Sequence, residues 1–244
     1  MNSIVRAPRR FDRRLYLGSS LIFLALVFWT FARTFYLKSF FDTPPLSALL
    51  HIHGVVMSGW VVLLVIQTSL IAAHRVQWHR RLGVFGAVWA ALVVVVGSIT
   101  TLHAAVREVR AHTDFAASQV VITSLDLLQM LFFAGFVAIA VWQRHRPDYH
   151  KRLMALTIAC MLPDALARLP VSFMVGAAEV DLNLQIMLGL DVFILMLVGL
   201  DTIWHRRLHP DFAWGAFLFV AVFHLALHFT QSRAWIAFGE SLLS

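Results

Sequence analysis

Long apolar runs, broken at regular intervals by short polar strings rich in arginine, set the pattern of this chain. Seven runs are long enough for a helix that crosses a bilayer, at about 15–36, 47–73, 82–105, 117–142, 152–174, 183–204 and 212–231. A hydrocarbon core about 30 Å thick takes about 20 apolar residues per helix. In that medium every backbone N–H and C=O must be satisfied within its own helix. The predicted fold class is therefore all-α, a polytopic seven-helix membrane bundle with connections too short to hold a soluble domain. Residues 1–14 form a basic N-terminal segment, and residues 232–244 a weakly amphipathic tail suited to a membrane surface. The run from Leu15 to Tyr36 is too long for the apolar part of a cleaved signal and reads as a retained first helix.

Composition agrees with the pattern. Hydrophobic residues make up 60% of the 244, charged residues only 14%, and the mean hydropathy is +0.77. A soluble domain carries about 25% charged residues. The net charge of +7 invites a nucleic-acid reading, but the basic residues are scattered between apolar runs and form no stripe. Fourteen of the 20 fall on one side of the seven-span layout, in the N-terminal segment and in every alternate loop. That bias predicts a cytoplasmic N-terminus, an outside C-terminus, anionic lipid headgroups as partners and no nucleic acid. Cys160 is the sole cysteine, so no intramolecular disulfide can form.

The three loops on the basic side repeat one string: His79-Arg80-Arg81-Leu82, His150-Lys151-Arg152-Leu153 and His205-Arg206-Arg207-Leu208. Two accounts fit. Basic residues at a helix end anchor it to lipid phosphates, or the corners together bind an anionic ligand.

The strings HGVVMSGWVVLLVIQTSL (53–70), WHRRLGVFGA (78–87), DYHKRLMALTIACMLPDALARLP (148–170) and LDTIWHRRLHPDFAWG (200–215) carry a resemblance. The chain resembles a family of bacterial multi-pass membrane proteins that share a His-Gly, Gln, His-Arg-x-Leu-Gly pattern over two adjacent helices. The resemblance implies a bacterial cytoplasmic membrane and the seven-span layout, and it implies no activity. His224 and His228 lie outside these strings.

Ionisable groups inside a span are costly and mark candidate sites. Here they are His53, Asp126, Asp164, Arg168, Asp191, His224 and His228. At 1.5 Å of rise per residue, most of them fall at about the same depth, about 9–15 Å from the outer ends of their spans. His53, Trp60 and Gln67 recur every seven residues and share one stripe; Asp126 and Gln129 share a face, as do His224 and His228. Pro163 predicts a kink beside Asp164, and Arg168 is spaced to pair with Asp164.

Three readings follow. In the first, His53 and a histidine of the last helix ligate haem b in a redox site that could involve a quinone, with Trp60 packing the ring. In the second, His53, His224 and His228 hold zinc with Asp126 or Asp191, as in seven-span membrane hydrolases. In the third there is no cofactor, and the layer is a proton or solute site or part of an assembly scaffold.

Overall fold

The structure, a computed structural model, describes residues 9–171, 174 and 180–244. Arg6 and the end of the expected fifth span, residues 172–173, lie outside the described residues.

Helix α1 (Arg9–Phe31) runs into a single π-turn at Ala32–Tyr36. Then come α2 (Ala48–Ala72), α3 (Val76–Arg110), α4 (Ala116–Trp142), α5 (Pro147–Leu166), α6 (Leu182–His205), α7 (Pro210–Thr230) and α8 (Arg233–Leu243). The ends follow local chemistry. Ser47 and Asp181 cap α2 and α6 by accepting from the N–H groups of Leu50 and Leu184. Pro147 and Pro210 open α5 and α7, where a missing N–H costs nothing. His74, His112 and Arg206 take left-handed backbone at tight reversals between antiparallel helices.

All described secondary structure is helical, and six helices are long and apolar enough to cross a membrane: α1 with its π-turn, α2, α3, α4, α6 and α7. Their outward faces carry exposed Val55, Val88, Leu131, Leu195 and Leu225, as a lipid-facing surface requires. This is a multi-pass membrane protein. Several helices overrun the expected spans; α3 has 35 residues and reaches about 50 Å.

The expected fifth span is the exception to the apolar rule, and its position explains why. The six apolar helices form a ring in the order α1, α2, α3, α4, α7, α6, while α5 packs on α1, α4, α6 and α7. Arg152, Leu153, Leu156, Ala159, Cys160 and Leu162 are all buried along it. A helix shielded from lipid by its neighbours can carry charge if they supply partners. Around it the interior is filled by aromatic contacts, with Trp60 edge-on to Phe133 at 5.0 Å and Phe132 edge-on to Phe219 at 5.1 Å. The tail expected at the surface is α8, which folds back on α3 and α4 and donates from Trp235 Nε1 to Ser124 Oγ at 2.9 Å.

Candidate functional site

Two polar regions lie at opposite ends of the bundle. At the end away from the N-terminus, Asp126 on α4 accepts from the Thr101 hydroxyl of α3 at 2.7 Å, and Thr123 donates to the Thr101 carbonyl at 3.2 Å. Asp164 on α5 and Arg168 just beyond it lie within direct Coulombic reach of Asp126. Arg168 also acts on His53 of α2 and stacks over the Phe31 ring at 4.4 Å, where α1 enters its π-turn. Such turns recur at functional sites. Four candidates from four stretches of sequence, His53, Asp126, Asp164 and Arg168, therefore meet.

The expected Asp164–Arg168 side-chain pair is not what forms. Helix α5 ends at Leu166, so Arg168 is no longer in helical register and its guanidinium donates to the Asp164 main-chain carbonyl at 2.7 Å. The arginine caps a free carbonyl at the helix terminus, so it acts on the Asp164 carboxylate by charge, and among the described residues no ion pair forms on that carboxylate.

Asp191 and His224 form a separate contact between α6 and α7, with His224 Nε2 3.2 Å from Asp191 Oδ1 but without hydrogen-bond alignment. His228, one turn on, is exposed. His53 stands on α2 and His224 on α7, and these helices are not neighbours in the ring. Among the described residues, no metal-ligand group of three or more includes His53, His224 or His228. Near the same end, an open hollow of about 560 Å³ is lined by Tyr36, Lys38, Phe41 and His51. Lys38 is held by its own loop, through the Thr43 hydroxyl and carbonyl at 2.8 Å.

At the N-terminal end the repeated strings do not act as three equivalent corners. Arg80, Arg81, Arg206 and Arg207 are exposed, but Arg152 and His205 turn inward. Arg152 is 3% exposed and forks onto Asp201, itself 1% exposed, by Nε to Oδ2 at 2.8 Å and a second N–H to Oδ1 at 3.1 Å. Tyr16 donates to the same carboxylate at 3.0 Å. His205 Nδ1 lies 2.7 Å from the Asp201 carbonyl, while its Nε2 lies 3.1 Å from Asp12. Lys151 bridges Asp12 and Asp148, 2.8 Å from each. Burial and the nearby Arg152 charge pull the half-buried His209 below the ordinary histidine range.

Asp201, Tyr16, Asp12 and His209 escaped the sequence reading. Asp201 stands one turn before His205 near the end of its span, and that spacing was the available signal. Among the described residues, Asp201, His205 and His209 are the one trio whose ligand atoms all lie within 4.8 Å of one another. Asp201 is already saturated by Arg152 and Tyr16, so a cation would have to displace a guanidinium. The trio reads as part of an ion-pair network that ties α1, α5 and α6 together.

The third corner is different again. With its amide turned to satisfy both neighbours, Gln67 donates to His79 Nδ1 at 2.6 Å and accepts from the Gly83 N–H at 3.1 Å. The His79 ring meets His150 edge-on at 6.1 Å, and His150 Nδ1 lies 2.8 Å from the Ala140 carbonyl. No family model, no curated protein and no solved structure matches this chain.

Proposed function

We propose that this chain is a bacterial inner-membrane protein with seven membrane-crossing helices, N-terminus in the cytoplasm and C-terminus outside. In this reading it binds a proton or a small polar solute in its periplasm-facing half. The excess of basic residues at the N-terminal end supports the orientation, and exposed Arg80, Arg81, Arg206 and Arg207 suit anionic headgroups there. The centrality of α5 supports a seventh crossing.

The observation that carries the functional reading is the pair of carboxylates, Asp126 and Asp164, on adjacent helices of a membrane bundle. Two acids side by side, with Arg168 and one threonine donor for company, form an exchangeable charge site more than a structural ion pair. The site is accessible from the far end through exposed Asp164 and Arg168, whereas the N-terminal end is closed by the buried Arg152–Asp201 network.

Infrared difference spectroscopy of the protein in lipid, stepped between acid and neutral buffer, tests this. The expected result is a carboxylic C=O band that responds to bulk pH and is lost in Asp126→Asn and in Asp164→Asn. A spectrum without such a band, or one unchanged in both variants, would remove the basis for the site.

A further inference from the structure

The carboxylate pair leaves one feature unexplained: the polar stripe of α2 continues through the apolar middle to the opposite end. His53, Trp60 and Gln67 lie on one side of the helix and span about 21 Å of rise. Trp60 is 2% exposed, and its indole N–H has no hydrogen-bond partner. Gln129 of α4, also 2% exposed, has an amide oxygen equally without one. Gln129 sits one turn from Asp126 and one turn from Phe133, the ring on which Trp60 packs. A donor and an acceptor, each without a partner among the described residues, thus flank the Phe133 ring at the middle of the bundle, beyond the acid pair.

Leaving such a group unsatisfied costs about 1–3 kcal/mol. Buried water is the usual remedy where polar partners converge. Below this level Leu63, Leu64 and Val137 line a short apolar stretch, and then Gln67 takes up the stripe again and holds His79. The partners fix complementary ring states. His79 Nδ1 accepts from Gln67, so Nε2 bears its hydrogen; His150 Nδ1 donates to the Ala140 carbonyl, so Nε2 keeps its lone pair. Both rings are half-buried at the N-terminal end, and Arg80 is a charged neighbour of His79.

We propose that the species handled at the acid pair is the proton, and that it crosses to the N-terminal face along the α2 stripe. The route runs through water held between Trp60 and Gln129 and then through the His79–His150 pair. This rests on the reading of Asp126 and Asp164 as an exchangeable site. A carboxylate oxygen takes a proton from the outer side and releases it to the buried water. Each relay then accepts one proton and gives up another, so one proton moves in net and no other bond is made or broken. The apolar stretch at Leu63 and Leu64 conducts only while it is wetted, as hydrophobic constrictions do.

The test uses the full chain in phosphatidylcholine–phosphatidylglycerol liposomes loaded with a pH-sensitive dye, under a potassium gradient with valinomycin. Gln129→Leu and Gln67→Leu remove the relay groups while keeping side-chain volume; Trp60→Phe removes the donor while keeping a ring against Phe133. The expected result is a proton flux in the wild type that falls about a hundredfold in each leucine variant, the lower end of what one positioned proton-transfer group contributes. Unfolding midpoints in detergent should stay close to wild type, and Trp60→Phe serves if either leucine variant fails to fold. Wild-type flux retained in all three variants overturns the route. Absence of wild-type flux overturns the proposal outright; a pH-responsive carboxylic band surviving in that case leaves the acid site standing, and its absence removes both.

Discussion

Arg152 of α5 and Asp201 of α6 meet in a two-bond fork at 2.8 and 3.1 Å, and almost no water reaches either group. Removing one partner of a buried pair leaves the other charge uncompensated, at a cost of about 3–5 kcal/mol. Arg152→Ala and Asp201→Ala are each expected to lower stability by about that much in reversible unfolding in detergent. The double variant Arg152→Met with Asp201→Leu should recover most of the loss, because well-packed apolar groups replace a buried pair at little cost. A double variant that stays several kcal/mol below wild type would show that the fork is worth more than its desolvation.

Asp12 ties the start of α1 to two other elements, through Lys151 at 2.8 Å and His205 at 3.1 Å. Asp12→Asn removes the charge that both contacts use. Amide exchange over residues 9–16 should then quicken, while the middle of α1, held by buried Ser20 and Phe23, stays protected. Equal protection in the variant would mean that packing alone holds that end.

Burial draws His209 below the ordinary histidine range, near 6.5. A histidine that titrates lower when folded binds fewer protons in the folded state. Stability is therefore full above the unfolded-state value and declines as pH falls below it toward the folded value. Between pH 7 and pH 5 the unfolding midpoint should drop, and His209→Gln should flatten that slope. An unchanged slope would place the acid sensitivity elsewhere.

Helix α8 is fastened over α3 and α4 by the Trp235 indole bond to Ser124 and by Gly239 packed on Val120. Trp235→Phe is expected to cost about 1 kcal/mol. It should also speed proteolysis of residues 233–243 without changing the rest of the digestion pattern.

If the acid pair handles protons without a cofactor, the purified protein should show no Soret band and no stoichiometric zinc. A visible spectrum and elemental analysis decide this. A haem spectrum lost in His53→Ala would restore the redox reading and set aside the proton site.

The all-helical, multi-pass architecture was legible because lipid solvation leaves so strong an apolar signature. A fixed rise per residue grouped His53, Asp126, Asp164 and Arg168, and in the structure Arg168 stands within Coulombic reach of the other three. Lateral neighbours were not legible. Helix order in the ring depends on which faces pack, and in lipid an apolar face reads the same toward a neighbour as toward a hydrocarbon tail. Asp191 and His224, grouped with that layer by depth, meet each other between α6 and α7. The inward turn of Arg152 was equally hidden. Its string matches those of the other two loops, and only Asp201, contributed by a distant helix, distinguishes it.

The central place of α5 also bears on how the chain is made. Lys151, Arg152 and Asp164 would each oppose entry of a lone helix into lipid, by about 2.5–3.5 kcal/mol for those near the bilayer centre. Helix α5 emerges from the ribosome before α6 and α7, the two helices that complete its shell and bring Asp201. If α5 is the seventh crossing proposed above, its insertion waits for sequence not yet synthesised, and the last quarter of the chain governs whether the middle enters the bilayer.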